Sequence, residues 1–178
     1  MSPRLPNFGI CALCGHRAAK SAMVAHLESC LVSHDDGAVA RPLVVLRFVA
    51  AGEPRYWLVL EARADSKLKH IDALLRHVWL ECCGHMSAFR VGRRTLAMSA
   101  APSVAFAPAG TKVDYEYDFG STTALTGELM GERHSSIGAR PVRLLARNKP
   151  LVWSYSECTA PATTICPNCI DGGGSDLF

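Results

Sequence analysis

A chain of 178 residues with 49% apolar and 20% charged residues can build one medium core plus small appendages, which excludes a disordered polypeptide. The net charge of +3 is too mild to indicate nucleic-acid binding by itself. The longest apolar run, Leu43–Ala51, is interrupted by Arg47 and too short to span a bilayer, and MSPRLPNFGI lacks a secretory h-region, so the expectation is a cytoplasmic protein with no membrane role. In that setting eight cysteines, several in C-x2-C or close Cys/His groups, point to zinc rather than disulfides.

Residues 1–36 read as a small zinc finger. Phe8 precedes Cys11-x2-Cys14, a short basic loop follows, and Ser21 is placed to cap a helix. Met23, His26, Leu27 and Cys30 then fall at i, i+3, i+4 and i+7, one face of that helix. His34-Asp35-Asp36-Gly37 reads as the exit turn.

Residues 40–150 read as an α+β core. Leu43–Ala50 is nearly continuous in apolar residues, as a buried strand is, and Tyr56–Ala62 returns after the turn Gly52-Glu53-Pro54. Asp65 or Ser66 caps a helix whose stripe is Leu68, Ile71, Leu74, Leu75, Val78 and Trp79, with Gly84 placed to end it. Short strands at Met86–Val91 and Arg94–Met98 flank Gly92, and Ala100–Gly110 reads as an irregular crossing loop. The stretch 111–133 alternates Val113, Tyr115, Tyr117 and Phe119 against Lys112, Asp114, Glu116 and Asp118, which predicts a hairpin with one apolar and one acidic face. A last strand is expected over Pro141–Arg147, and residues 151–178 read as a Cys-bearing appendage. The expected fold is a mixed or antiparallel sheet with one or two packed helices.

Cys11, Cys14, His26 and Cys30 form the strongest motif. Zinc takes tetrahedral thiolate and imidazole ligands; a C-x2-C knuckle supplies a pair, and a His and Cys one helical turn apart complete the set. His16 is a substitute ligand, and Met23 and Leu27 would fill the finger's small core. Cys158, Cys166 and Cys169 make a second cluster one ligand short of a closed site, with Asp171 a neighbouring donor. Cys82 and Cys83 are either small thiols packed at a helix end, metal ligands together with His85, or, for Cys83, a nucleophile activated by His85. Asp114, Glu116, Asp118 and Glu128 are either a wet sheet face, paired with Arg90, Arg93 or Arg94, or carboxylates holding Mg²⁺ or Mn²⁺ for phosphoester hydrolysis. No P-loop, GxGxxG or Ser-His-Asp arrangement stands in the sequence.

The stretches Trp79–Phe89 (WLECCGHMSAF) and Tyr115–Gly120 (YEYDFG), with Pro161-Ala162 and Ile165-Cys166-Pro167-Asn168-Cys169, resemble the Ri-plasmid open-reading-frame-three-like family, also labelled insertion-element passenger TnpR-like proteins. The resemblance covers about residues 40–170 and implies a compact α+β domain without an assigned activity. Where many members follow Tyr-Asp-Phe-Gly with Asp, Trp and His at alternate positions, Ser121, Thr123 and Leu125 stand here. The tail of related members resembles a B-box-like zinc module; Tyr155 occupies its first Cys position. Together these readings lead to a zinc-binding, non-catalytic adaptor of a mobile-element-associated family, with a protein or nucleic-acid partner. The alternative is a metal-dependent hydrolase or nuclease using the acidic strand face.

Overall fold

The computed structural model describes residues 8–35, 39–79 and 84–150. In chain order these form β1 (Phe8–Cys11), β2 (Arg17–Ala19), α1 (Lys20–Cys30) with a 3₁₀ turn over Leu31–His34, β3 (Arg41–Ala50), β4 (Trp57–Arg63) and α2 (Leu68–Trp79). There follow β5 (Ser87–Val91), β6 (Arg94–Leu96), the single turn α3 (Pro102–Ala105), β7 (Lys112–Tyr117), β8 (Thr123–Ser135) and β9 (Val142–Asn148). Among the described residues no helix is long and apolar enough to cross a membrane.

The strands make one nine-stranded sheet in the order β2-β1-β9-β4-β3-β8-β7-β5-β6. Every pairing is antiparallel. The expected α+β class with an antiparallel sheet is what forms. β4 lies near the middle and is buried on both faces, which explains why its residues from Trp57 to Ala62 are apolar except for Glu61. Its Leu58, Leu60 and Ala62 join Leu68, Ile71 and Leu75 of α2 in the larger core, with Phe48, Phe89, Phe106 and Tyr115. Trp57 and Val59, alternating to the opposite face, join Met23, Leu27, Cys30 and Leu145 in a second core beneath α1. Each helix therefore covers its own side of the sheet.

The expected finger is built into this sheet rather than standing apart. Gly9, Ile10 and Cys11 pair with Asn148, Arg147 and Ala146 of β9. β9 in turn pairs with β4, so the hairpin extends the central sheet. Lys149 N–H donates to the Phe8 carbonyl and closes the junction at 2.9 Å.

Local expectations differ from the structure in three places. α1 begins at Lys20 with Ala19 as its cap residue and no side-chain cap bond, because β2 runs directly into the helix and leaves Ser21 inside it. Phe119 is not on the apolar face: Asp118 adopts φ 56°, which ends β7 at Tyr117 and turns Phe119 outward, 46% exposed. The stretch after Ala100 is not wholly irregular, since Pro102 sits at the first turn of α3, where its missing N–H costs no bond.

Candidate metal centre

Cys11 ends β1 and is held by the sheet: Ala12 N–H donates to the Leu145 carbonyl at 2.7 Å. The chain then turns tightly through Cys14. Gly15 takes φ 76°, a left-handed conformation that a side chain disfavours, and its N–H donates to the Cys11 carbonyl at 2.9 Å. Cys11 N–H donates to the His16 carbonyl at 2.8 Å. These bonds point the two thiols of the C-x2-C knuckle to the same side. α1 returns over them, anchored by the buried Met23 and Leu27, so His26 and Cys30, one turn apart, face the knuckle.

The ligating atoms of Cys11, Cys14, His26 and Cys30 all lie within 4.8 Å of one another. Cys11 Sγ is 3.8 Å from Cys30 Sγ, and Cys14 Sγ is 3.3 Å from His26 Nε2. With Zn–S near 2.3 Å and Zn–N near 2.0–2.1 Å, a tetrahedron has S···S edges of about 3.8 Å and S···N edges of about 3.6 Å. The four groups can hold a metal ion. His16, the substitute ligand of the sequence reading, instead stacks on the His26 ring with centroids 4.2 Å apart. His34 Nδ1 lies 2.9 Å from the Cys30 carbonyl oxygen and 3.6 Å from Cys30 Sγ.

The electrostatics also suit a cation. Burial pushes the Cys30 thiol up to about 12, and the adjacent Cys14 and Cys11 sulfurs add to the shift. The Cys14 thiol is shifted down, chiefly by the His16 backbone N–H. His26 is shifted down by burial and by the nearby His16 and His34, which favours the neutral, ligating imidazole. A buried thiol that resists ionising, as Cys30 does, is one whose negative charge a bound divalent cation would offset.

The other candidates are distributed differently. Glu128 pairs with Lys112 and Arg47, and Glu116 with Arg90 at 3.0 Å. Asp114 accepts from Thr126 Oγ1 at 3.3 Å. Asp118, out of the strand, accepts from Gly120 N–H at 3.0 Å and lies 3.6 Å from His85 Nδ1. Among the described residues these carboxylates form no metal-ligating group; the acidic face of the hairpin is largely an ion-paired sheet face. Asp118 lines a cavity of about 520 Å³ with Tyr56, Trp79, Tyr117, Ser121 and Thr123. Cys82 and Cys83, and the Cys158, Cys166 and Cys169 cluster, lie outside the described residues.

One polar network is not announced by any sequence motif. Glu61 is fully buried, and Arg143 Nε donates to its Oε1 at 2.7 Å, while Arg133 Nη1 stands 3.7 Å from Oε2. The same guanidinium groups reach carbonyls of the 3₁₀ turn that follows α1: Arg143 donates to His34 O at 3.4 Å and Arg133 to Leu31 O at 3.5 Å. A lone carboxylate inside the apolar run WLVLEA was the available signal.

No protein-family model and no curated protein matches the sequence. The fold is similar to that of a solved protein of unknown function, MM3350 from Methanosarcina mazei Go1, with a TM-score of 0.51 and 13% identity. The match covers 62% of this chain and 70% of that one. At that identity the likeness shows the fold alone.

Proposed function

We propose that the chain is a zinc-stabilised, non-catalytic binding protein, with Cys11, Cys14, His26 and Cys30 holding a structural zinc. One observation carries the reading: four donor atoms, drawn from a strand, a turn and a helix, converge within 4.8 Å of one another, the number that a closed zinc site takes. A catalytic zinc keeps a coordination position open for water or substrate, whereas four protein ligands close the shell. Zinc there would join α1 to β1 and hold the helix over Trp57, Val59 and Leu145. The thiols of such a site persist in a reducing compartment, in keeping with a cytoplasmic protein.

The partner is a protein or a nucleic acid, and the helix favours a protein. Lys20, the basic residue at the start of α1, donates to the Pro54 carbonyl at 3.3 Å, and Glu28 is exposed on the same helix. Membership of the Ri-plasmid open-reading-frame-three-like, mobile-element-associated family is part of this proposal and rests on the WLECCGHMSAF and YEYDFG stretches.

Hydrogen exchange on the intact protein before and after chelation tests the structural role. Protection should collapse across residues 8–34 and persist in β3, β4 and β8. Unchanged exchange in 8–34 after the metal is removed would overturn the reading.

A further inference from the structure

Between α1 and β8 runs a groove of about 570 Å³, within the roughly 300–1,000 Å³ range of ligand clefts. We infer that this groove docks a short peptide segment of a partner protein that carries both apolar and basic side chains. The inference deepens the zinc-stabilised binding reading and rests on it, since one wall is the helix that the metal would hold.

The apolar content comes from the helix and the sheet together. Leu27 and Leu31 of the α1 side and Val45 and Val59 of the sheet line the groove, with Met130 at its edge. Val32 continues the apolar strip onto the surface at 79% exposure. An apolar lining that extends from the buried floor to the exposed Val32 at the rim suits an elongated occupant more than a compact one.

The groove is open because position 131 has no side chain. Gly131 is opposite Val45 in the β3–β8 register, so a side chain there would project to the same face as Val45. It lies next to the bulge that displaces Met130, and an added Cβ would meet nothing within 4 Å. A glycine inside a strand often marks the place where another backbone approaches closely.

Charge identifies the occupant. Glu28 and Glu132 line the groove, are exposed, and make no ion pair among the described residues. The other glutamates of the described residues all do: Glu53 with Arg55, Glu61 with Arg143, Glu116 with Arg90, and Glu128 with Lys112. The groove's own cation, Arg133, is directed to Glu61 and the Leu31 carbonyl, and Asp35 adds a further carboxylate to the lining. An apolar floor flanked by the Glu28 and Glu132 carboxylates complements Lys- or Arg-bearing apolar peptide.

The test uses labelled short peptides alternating Leu and Lys, Leu and Glu, or Ser and Lys, titrated by fluorescence anisotropy into the full chain, with zinc content measured on the same samples. The Leu/Lys peptide should bind saturably, and each of the others at least about tenfold more weakly. Gly131→Leu, which fills the groove, and separately Glu28→Lys with Glu132→Lys, should each weaken Leu/Lys binding by about tenfold or more while zinc content stays that of the parent. Equal binding by the Gly131→Leu variant, equal binding of the Ser/Lys peptide, or no saturable binding to zinc-loaded protein would overturn the docking proposal and leave the metal reading standing. Self-association lost in Gly131→Leu would also overturn it, by making a second copy the occupant. Protein without zinc at the N-terminal set would overturn the metal reading itself.

Discussion

Gly9 and Trp57 meet so closely that the strand backbone lies against the indole. A Cβ built on Gly9 would fall among the Trp57 ring carbons and 2.7 Å from the Arg147 carbonyl oxygen. Trp57 is fully buried beneath α1, so this contact joins the β1–β2 hairpin to the central sheet. Gly9→Ala should therefore destabilise the protein by about 1–3 kcal/mol, the usual range for overpacking. Urea unfolding checks this, and an unchanged midpoint would show that the indole moves aside freely.

Removing the buried carboxylate at position 61 should be among the most damaging single changes. Glu61→Ala leaves Arg143 and Arg133, only 11% and 19% exposed, facing each other without their anion. Breaking a buried pair in this way costs roughly 3–5 kcal/mol. Replacing both partners, as in Glu61→Leu with Arg143→Met, should recover a large part of that loss. Denaturant titration of the single and double variants measures it; a single-variant cost under about 1 kcal/mol would mean the network is not desolvated.

The Tyr115 hydroxyl links the hairpin to α2 and makes stability depend on alkaline pH. It donates to Asp72 Oδ1 at 2.7 Å, where Ser87 and Arg76 also converge. Burial, reinforced by the Asp72 carboxylate, raises the Tyr115 phenol well above its ordinary value of 10.0. A raised folded-state value means a contribution fully present below about pH 10 and lost as pH rises toward the folded value. Tyr115→Phe should cost about 1.5–3 kcal/mol at neutral pH, as for a hydrogen bond to a charged group. The gap between parent and variant should then narrow above about pH 10. A gap that is constant from neutral to strongly alkaline pH would contradict this.

Much of this fold was legible in local pattern. Strict alternation marked β7, the nearly continuous apolar run marked β3, and the Leu68–Trp79 stripe marked α2. The donor set Cys11, Cys14, His26 and Cys30 was legible because ligand spacing is itself a local property. What local pattern could not carry was pairing between distant segments. Nothing near Gly9 announces Asn148 as its partner, and nothing near Glu61 announces Arg143. Periodicity also runs through a turn without showing it: Phe119 keeps the alternation, but Asp118 has already left the extended region. The carboxylates of the hairpin looked convergent because cross-strand cations such as Lys112, which is opposite Glu128, are invisible until the register is known.

The most direct measurement is zinc content of the full chain purified under reducing conditions, beside a Cys11→Ser/Cys30→Ser variant. The expected result is that the parent carries about one more zinc per chain than the variant, since these ligands close one tetrahedral site. Cobalt substitution should add thiolate-to-metal absorption to the parent that the variant lacks. Equal zinc content in the two proteins, with no spectral difference, would contradict a metal centre at Cys11, Cys14, His26 and Cys30.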